Sequence, residues 1–513
     1  MTLPTFPKLR FIGRQRLYTY LTPEEIEGSG GAEKIRLDLE QFIIPLHFFN
    51  AAEENYLFEY YAGFHPHIMT RVKETRGDIN NKVVLNYAKA FSRDIVSYFL
   101  GKPIQYVQRD QKFREAAQTI SDTLDAESKN LVDYNIAMNM SICGVGYRGV
   151  FPEATAKNGS HASVVSLDPR FTFVVYSPDK TVGALYCGTF YTTPPAPLAQ
   201  ETKTVYKIYT KTKEYIFEAP GFMGLASVEG LNLVSSKDTN LGGNLPIIDY
   251  PNTYMMMGDW ESELALMDSL DTMTSDSVND IEQFVNSILL LQGFELDEAT
   301  LTSLEQNKIL NIPDVPVGVE VVVKYLAEQL DAEGAKELRQ FLESTLRSIV
   351  GVPDRNNKAT RAETGDAMFL GGGWQDLDLV AATKEKFFID ADRKMLATLI
   401  YILQTFGEVD KNVTAPDIEV KFSRTKQVNL QAKAQAYATM VGAAAPIAPA
   451  DALEFADLTN NVTDVIERSE KFAEEKMERQ REMFQYQNSF NNGFHRSDSF
   501  RETTAFRNAV DGQ

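Results

Sequence analysis

The sequence predicts an α+β chain, mainly α, built in several parts rather than around one core. Three observations carry this. Apolar residues recur at helical spacing over Leu37 to Tyr61, Asn81 to Leu100, Asp259 to Phe284, Ala332 to Ile349 and Asp366 to Gln404. Alternating β-branched and aromatic residues are concentrated between Cys143 and Phe217. A short α/β pattern is inserted between two of the helices. The length of 513 residues also exceeds the ~250–300 at which single cores stop growing.

Taken in order, the first two helical stretches are amphipathic, the second stopping at Gly101-Lys102-Pro103, where Gly caps and Pro cannot continue. Ile104 to Val107 reads as a short strand. From Cys143 to Phe217 the strands Val164-Val165, Phe171 to Tyr176, Leu185 to Tyr191 and Thr204 to Tyr209 imply an antiparallel sheet region. Gly144, Gly146 and Gly149 match G-x-G-x-x-G, but they follow a helix and lead into strands, the reverse of a dinucleotide site, so they read as bends.

Asp259 to Phe284 is the clearest helix, with a broken apolar stripe through Trp260, Leu264, Met267, Leu270, Val278 and Ile281. Strand Ile288 to Leu291, short helix Glu298 to Gln306, and strands Lys308 to Ile312 and Val319 to Lys324 form the inserted module. The chain then returns as helix Ala332 to Ile349, making a hairpin of antiparallel helices with a folded tip. Val352 to Thr364 is a polar loop with Arg355, Lys358 and Arg361 three apart, and Gly371 to Gly373 interrupt the long helix after it. Lys421 to Val428 is a short strand or linker, and Asn429 to Val441 a further helix. Asn461 to Gln487 is a charged helix whose Glu467 to Lys471 and Glu475 to Arg479 pairs have i, i+4 spacing. Asn488 to Gln513, with Phe490, Phe494, Phe500 and Phe506 among Arg496, Arg501 and Arg507, reads as a frayed tail or as an arm that anchors on a partner.

Charge narrows the function. A net charge of −20 argues against tight wrapping of DNA, which needs clustered cations. From Asp238 to Asn307, 70 residues contain no Lys or Arg and 14 Asp or Glu. Such a run suits either an ordinary solvated acidic face or a wall that must not hold a polyanion. Two cysteines, Cys143 and Cys187, suit free buried thiols in a reducing compartment. No signal peptide is expected, and no apolar stretch approaches the ~20 residues of a membrane span.

Motifs for a P-loop, a G-x-S-x-G hydrolase, H-E-x-x-H and C-x-x-C are all missing from the sequence. His65 and His67 form H-P-H with no third ligand in sequence. One enzymatic alternative stays open: Asp268, Asp271 and Asp276, or Asp276 and Asp280, holding Mg²⁺ for phosphodiester cleavage. A non-enzymatic acidic scaffold or adaptor is the other.

Met267 to Gly293 resembles the first stem helix and clip entry of tailed-bacteriophage portal proteins of the siphophage type, found in phages of Gram-positive hosts. The S-D-x-V-N-D-x-E-Q-F element, Ser275 to Phe284, is the most specific part. Asn81 to Tyr106 resembles the family's wing helix with its G-K-P turn, Leu245 to Ile248 the strand before the stem, and Val350 to Pro353 and Thr364 to Met368 the borders of the tunnel loop. The resemblance runs from about Leu37 to Arg481.

It implies a portal fold with wing (1–258), stem helix (259–284), small α/β clip (285–328), second stem helix (329–351), tunnel loop (352–364), kinked tunnel helix and wing return (365–428), helical crown (429–487) and flexible arm (488–513), assembled as a ring. Implied partners are further copies of the chain, usually twelve, double-stranded DNA without sequence preference, the large terminase, head-completion or adaptor proteins, and major capsid and scaffold proteins. The implied place is the capsid portal vertex of the virion, and the host cytoplasm during assembly. Asp268, Asp271, Asp276 and Asp280 would line the channel, and Arg355, Asn356, Asn357, Lys358 and Arg361 would face DNA from the tunnel loop. Glu295, Asp297, Glu298 and Glu305 would dock terminase and then the adaptor. Neither catalysis, cofactor nor metal is expected.

Overall fold

A computed structural model of the chain describes residues 13–73, 77–157, 159–193, 202–220, 230–239, 241–285, 288–292, 322–326, 332–354, 374–423, 430–443, 447–456, 458, 459, 462 and 465–483. The chain forms two units, residues 1–425 and 426–513.

The strands of the first unit are β1 (Leu17–Tyr18), β2 (Gln105–Gln108), β3 (Val145–Lys157), β4 (Ser160–Leu167), β5 (Thr172–Tyr176), β6 (Ala184–Thr193), β7 (Lys203–Thr210), β8 (Lys213–Pro220), β9 (Asn232–Asp238), β10 (Ile247–Pro251), β11 (Ile288–Gln292), β12 (Val322–Leu326) and β13 (Ile418–Lys421). The strand-rich region expected as one antiparallel sheet is divided. β3 and β4 join β10 in a three-stranded sheet, while β5 to β9 run on as an antiparallel meander with β1 added in parallel on β5. The division falls at Pro169–Phe171, a 3₁₀ turn whose preceding Asp168 accepts from the Arg170 amide and so ends the β4 register. The six-stranded sheet packs Phe173, Val175, Tyr186 and Tyr206 against Ile35, Leu39 and Ile43. The smaller sheet packs Val150, Val164 and Tyr250 against Phe388, Met395 and Leu399 of the long helix Trp374–Thr405. β13 pairs antiparallel with β2 and ends at Lys421, where the expected strand or linker begins; residues 424–428 of that stretch lie outside the described residues.

Two expected helices differ from a plain α-helix over the expected span, each for a physical reason. In the Leu37 to Tyr61 stretch the helix passes through a π turn, Leu39–Ile43, before Ile44–Ala62. Pro45 cannot donate an amide proton, and the local ladder slips by one residue. The Asn81 to Leu100 helix starts only at Tyr87 and runs to Phe99, with Asn86 as its cap accepting from the Lys89 amide. Residues 81–85 stay extended because their amides bond elsewhere, as described below. Gly144 is a left-handed helix cap at φ 82°, as expected of a bend. Gly146 and Gly149 instead lie within β3, where an added Cβ would fall 2.7 Å from Ile136 O and 2.4 Å from Phe151 Cε2 respectively. Close packing is what those two positions require.

The acidic helix is Leu264–Val285, preceded by a 3₁₀ turn at Glu261–Glu263. The residues expected as its first turn anchor the body instead: Glu261 pairs with Arg14 at 2.5 Å and Asp259 with Lys384 at 2.6 Å, all of them buried or nearly so. At 22 residues the helix spans about 33 Å. β11 and β12 pair antiparallel beyond it, from Ile288↔Leu326 to Gln292↔Val322, and Ala332–Val350 returns. Met267 and Leu270 share one core with Leu346 and Val350, so the hairpin is joined to the body at its base. Residues 293–321 and 355–373, which hold the rest of the inserted module, the basic loop and the three glycines, lie outside the described residues.

Cys143 and Cys187 are free and buried. Among the described residues no helix is long and apolar enough to cross a membrane. In the second unit, helices Leu430–Gly442 and Pro449–Phe455 precede a helix over 465–483. That last helix carries both expected pairs, Lys471–Glu467 at 2.9 Å and Arg479–Glu475 at 3.4 Å.

Candidate functional site

The acidic helix Leu264–Val285 is the candidate site, and its buried face, apolar at the base with Leu264, Met267 and Leu270, turns polar beyond it. Asp271, Ser275 and Asn279 are fully buried at four-residue spacing. Each accepts a backbone amide proton from the extended segment 81–85: Leu85 N to Asp271 Oδ1 at 2.7 Å, Val83 N to Ser275 Oγ at 2.9 Å, Asn81 N to Asn279 Oδ1 at 2.7 Å. The fit is geometric. Two residues of extended chain rise about 6.6 Å and four of a helix about 6.0 Å, so alternate amides meet successive turns. Asn81 Nδ2 also reaches Glu282 Oε2 at 2.6 Å.

The remaining carboxylates find partners from the same distant part of the chain. Asp271 Oδ2 lies 2.5 Å from His65 Nδ1, with both side chains fully buried. His65 stacks on Tyr60 at 3.7 Å, and the Tyr60 hydroxyl donates to Asp268 Oδ1 at 3.0 Å. Burial pushes the Asp268 carboxyl above its ordinary range, against the Tyr60 hydrogen bond and the nearby His67 and His65. Asp276, 41% exposed, pairs with Arg71 at 2.6 Å and lies 3.9 Å from Lys73. Asp280 is partly exposed and makes no hydrogen bond or ion pair among the described residues.

The expectation that this run is unpartnered is therefore corrected. It holds no Lys or Arg of its own, yet Arg71 and Lys73 come to it from about two hundred positions earlier. Asp271 is also corrected as a channel-lining residue, since a side chain with no exposed surface in the chain lines nothing. Asp268 is half occupied by Tyr60. Asp276 and Asp280 keep an outward-facing part. The tunnel-loop candidates Arg355, Asn356, Asn357, Lys358 and Arg361, and the clip candidates Glu295, Asp297, Glu298 and Glu305, lie outside the described residues.

Sequence reasoning missed the strap at 81–85 and the role of Ser275 and Asn279. The signal was present: three polar residues, Asp271, Ser275 and Asn279, four apart on one face of an otherwise amphipathic helix are what a buried acceptor ladder needs.

His65, Asp268 and Asp271 bring ligand-type atoms within 4.8 Å of one another. The arrangement is a hydrogen-bonded one. Both oxygens of Asp271 are occupied, one by the Leu85 amide and one by His65 Nδ1. The other imidazole nitrogen, Nε2, is buried without a partner among the described residues and lies across the ring from the acid. Asp276 and Asp280, the other residues of the Mg²⁺ alternative, are not in this group.

Residues 50–482 match the family described as Phage portal protein, SPP1 Gp6-like. The chain belongs to this family of phage portal proteins. It is also 22% identical over 364 residues to the portal protein of Bacillus phage SPP1, covering 68% of each chain. The match includes both helices of the hairpin and the 81–85 strap, and ends just before the 465–483 helix does. Portal proteins are structural, non-enzymatic capsid components that work as oligomeric assemblies at the capsid vertex of the virion. The nuclease alternative has no support. The motif Ser275 to Phe284, which suggested the family, owes two of its residues, Ser275 and Asn279, to the strap they bind.

Proposed function

We propose that twelve copies of the chain close into a ring at one capsid vertex, forming the channel through which double-stranded DNA is packaged and ejected. The family match across residues 50–482 carries this reading. The stem hairpin supports it: its base is held in the core, and its first helix carries five acids and no base. Residues 1–258 form the wing, the two hairpin helices the stem, 285–328 the clip, 352–364 the tunnel loop, 365–428 the kinked helix and wing return, 429–487 the crown and 488–513 the arm.

A conduit must not bind its cargo tightly, because each phosphate neutralised adds affinity through counterion release. Asp276 and Asp280 supply repulsion on the channel side, acting within the ~8 Å screening length. Arg355, Lys358 and Arg361, with Asn356 and Asn357, touch phosphates from the tunnel loop without reading bases. Glu295, Asp297, Glu298 and Glu305 on the clip dock the large terminase and later a head-completion protein, while capsid and scaffold proteins meet the wing and crown in the host cytoplasm during assembly.

Native mass spectrometry and negative-stain imaging test the assembly: a ring with a central hole is expected, and a monomer sinks the reading. Changing Arg355, Lys358 and Arg361 to Ala is expected to leave the ring intact while DNA packaging or retention falls. Loss of assembly in that variant contradicts the loop's assigned role.

A further inference from the structure

One surface stands apart from the hairpin and almost entirely ahead of the family-matched residues, which begin at 50. Along residues 16–21 the chain alternates: Leu17, Thr19 and Leu21 are buried, while Arg16, Tyr18 and Tyr20 are exposed, Tyr20 by 62%. The helical stretch 39–62 runs beside it. Asn50 exchanges two hydrogen bonds with the Gln15 backbone, at 3.0 and 2.8 Å, and at the other end Tyr20 meets Phe42 edge-on with ring centroids 5.6 Å apart. Phe42, Leu46 and Phe49, four and three residues apart, are exposed, Phe49 by 67%. Large apolar side chains gathered in this way mark a surface that meets a partner.

A cationic cavity lies at the Gln15–Asn50 end of the stripe. It has room for one water-sized group, and Arg14, Arg16, His47, Asn50, Tyr176 and Asp249 are among its lining. Arg14 is buried and gives one nitrogen to Glu261, but its Nε and Nη1 are buried with no partner among the described residues. The Arg16 guanidinium lies 5.1 Å over the Tyr176 ring and makes no ion pair among the described residues. Asp249, the one carboxylate of the lining, accepts the Tyr176 hydroxyl at 2.6 Å. Burial keeps His47 neutral, pushed down to about 4, so the positive charge belongs to the arginines. Buried donors without acceptors are costly, and a carboxylate oxygen is the acceptor a guanidinium binds best. On a chain of net charge −20, arginines free to bind an anion beside exposed tyrosines have the composition of a binding hot spot. We infer that this face docks a partner protein through an extended segment whose Asp or Glu is flanked by apolar side chains. The carboxylate enters the cavity between Arg14 and Arg16, and the flanking side chains lie along Tyr18, Tyr20, Phe42, Leu46 and Phe49. The inference does not depend on the ring.

Binding of the full-length protein to an array of random dodecapeptides tests it, with peptides tiled across its own sequence on the same array. The strongest random binders are expected to share an Asp or Glu next to aromatic or aliphatic residues, and Asn or Gln in its place should lower binding about tenfold. Arg16→Ala and Phe49→Ser, both at exposed positions, are each expected to lower it about tenfold while melting as the parent does. Strongest binders without an acid, no binder above background, or binding that either variant retains overturns the inference. Equal or stronger acid-dependent binding to the chain's own peptides makes the face a contact within or between copies and overturns the foreign partner. All of these outcomes leave the ring reading standing, since native mass spectrometry reads it separately.

Discussion

Asp392 and Asp271 are both fully buried acids on long helices, and the chain settles them differently. Asp392 sits in a balanced ionic group: Arg148 Nη1 is 3.0 Å and Lys129 Nζ 3.7 Å away, while the Tyr106 and Tyr250 hydroxyls donate at 2.6 and 2.7 Å. Asp133 takes the remaining charge of Lys129 and Arg148. Burial pushes Asp392 up, but Lys129 and Arg148 prevail and its carboxyl lies below the ordinary range. Asp271 has no such cation, only an imidazole and a backbone amide. A third acid, Glu54, is buried with no salt bridge among the described residues, and burial pushes it up to about 8. Burial alone therefore does not decide whether an acid is ionised. The partners brought by other segments decide it.

The sharpest way to break this comparison is Asp392→Asn. It strands Lys129 and Arg148 in the core, and a loss of about 3–5 kcal/mol is expected in urea denaturation; a loss below ~1 kcal/mol would show that the group is not electrostatically closed. Next is Glu54→Gln, read as a function of pH. The folded value of about 8 lies above the ordinary 4.5, so the stability conferred by its proton is full below pH 4.5 and lost as pH rises through 8. The amide mimics the protonated form. The variant should match the parent near pH 4.5 and melt progressively higher than it towards pH 8, by a few kcal/mol in stability.

Asp271→Ala leaves His65 and the Leu85 amide without acceptors and should cost about 1–3 kcal/mol, measured in the same titration. Ser275→Ala with Asn279→Ala should cost about 1 kcal/mol per lost bond, and hydrogen exchange reads it locally. The amides of Val83 and Asn81 are expected to be protected in the parent, although they lie in neither helix nor strand, and to lose that protection in the double variant. Equal exchange in both proteins would rule out the strap. The smallest effect belongs to Asp276→Asn. Its pair with Arg71 is partly exposed, so at most ~1 kcal/mol is expected, fading in high salt.

Much of this architecture was legible in the residues. The period of apolar positions along 264–285 and 332–350 gave both hairpin helices to within a few residues, and the pairs at Glu467–Lys471 and Glu475–Arg479 appear where i, i+4 spacing placed them. The 81–86 segment has the sequence pattern of helix because Val83, Val84 and Leu85 continue the apolar texture of the helix after it. Its amides are drawn off by Asp271, Ser275 and Asn279, which no local pattern announces. The site was less legible than the fold. Composition showed an acidic run lacking bases, but the cations and donors that answer it stand at Arg14, at positions 60 to 85 and at Lys384.

The sequence by itself determined most of the helical and strand-rich stretches and, through their order together with one acidic motif, the family, because hydrophobic period and turn chemistry are properties of neighbouring residues. Only the tertiary structure decided which of those acids face inward. Electrostatic and hydrogen-bond partners act over a few ångströms of space, whatever their separation along the chain. Asp271 and His65 are 206 residues apart in sequence and 2.5 Å apart in the fold.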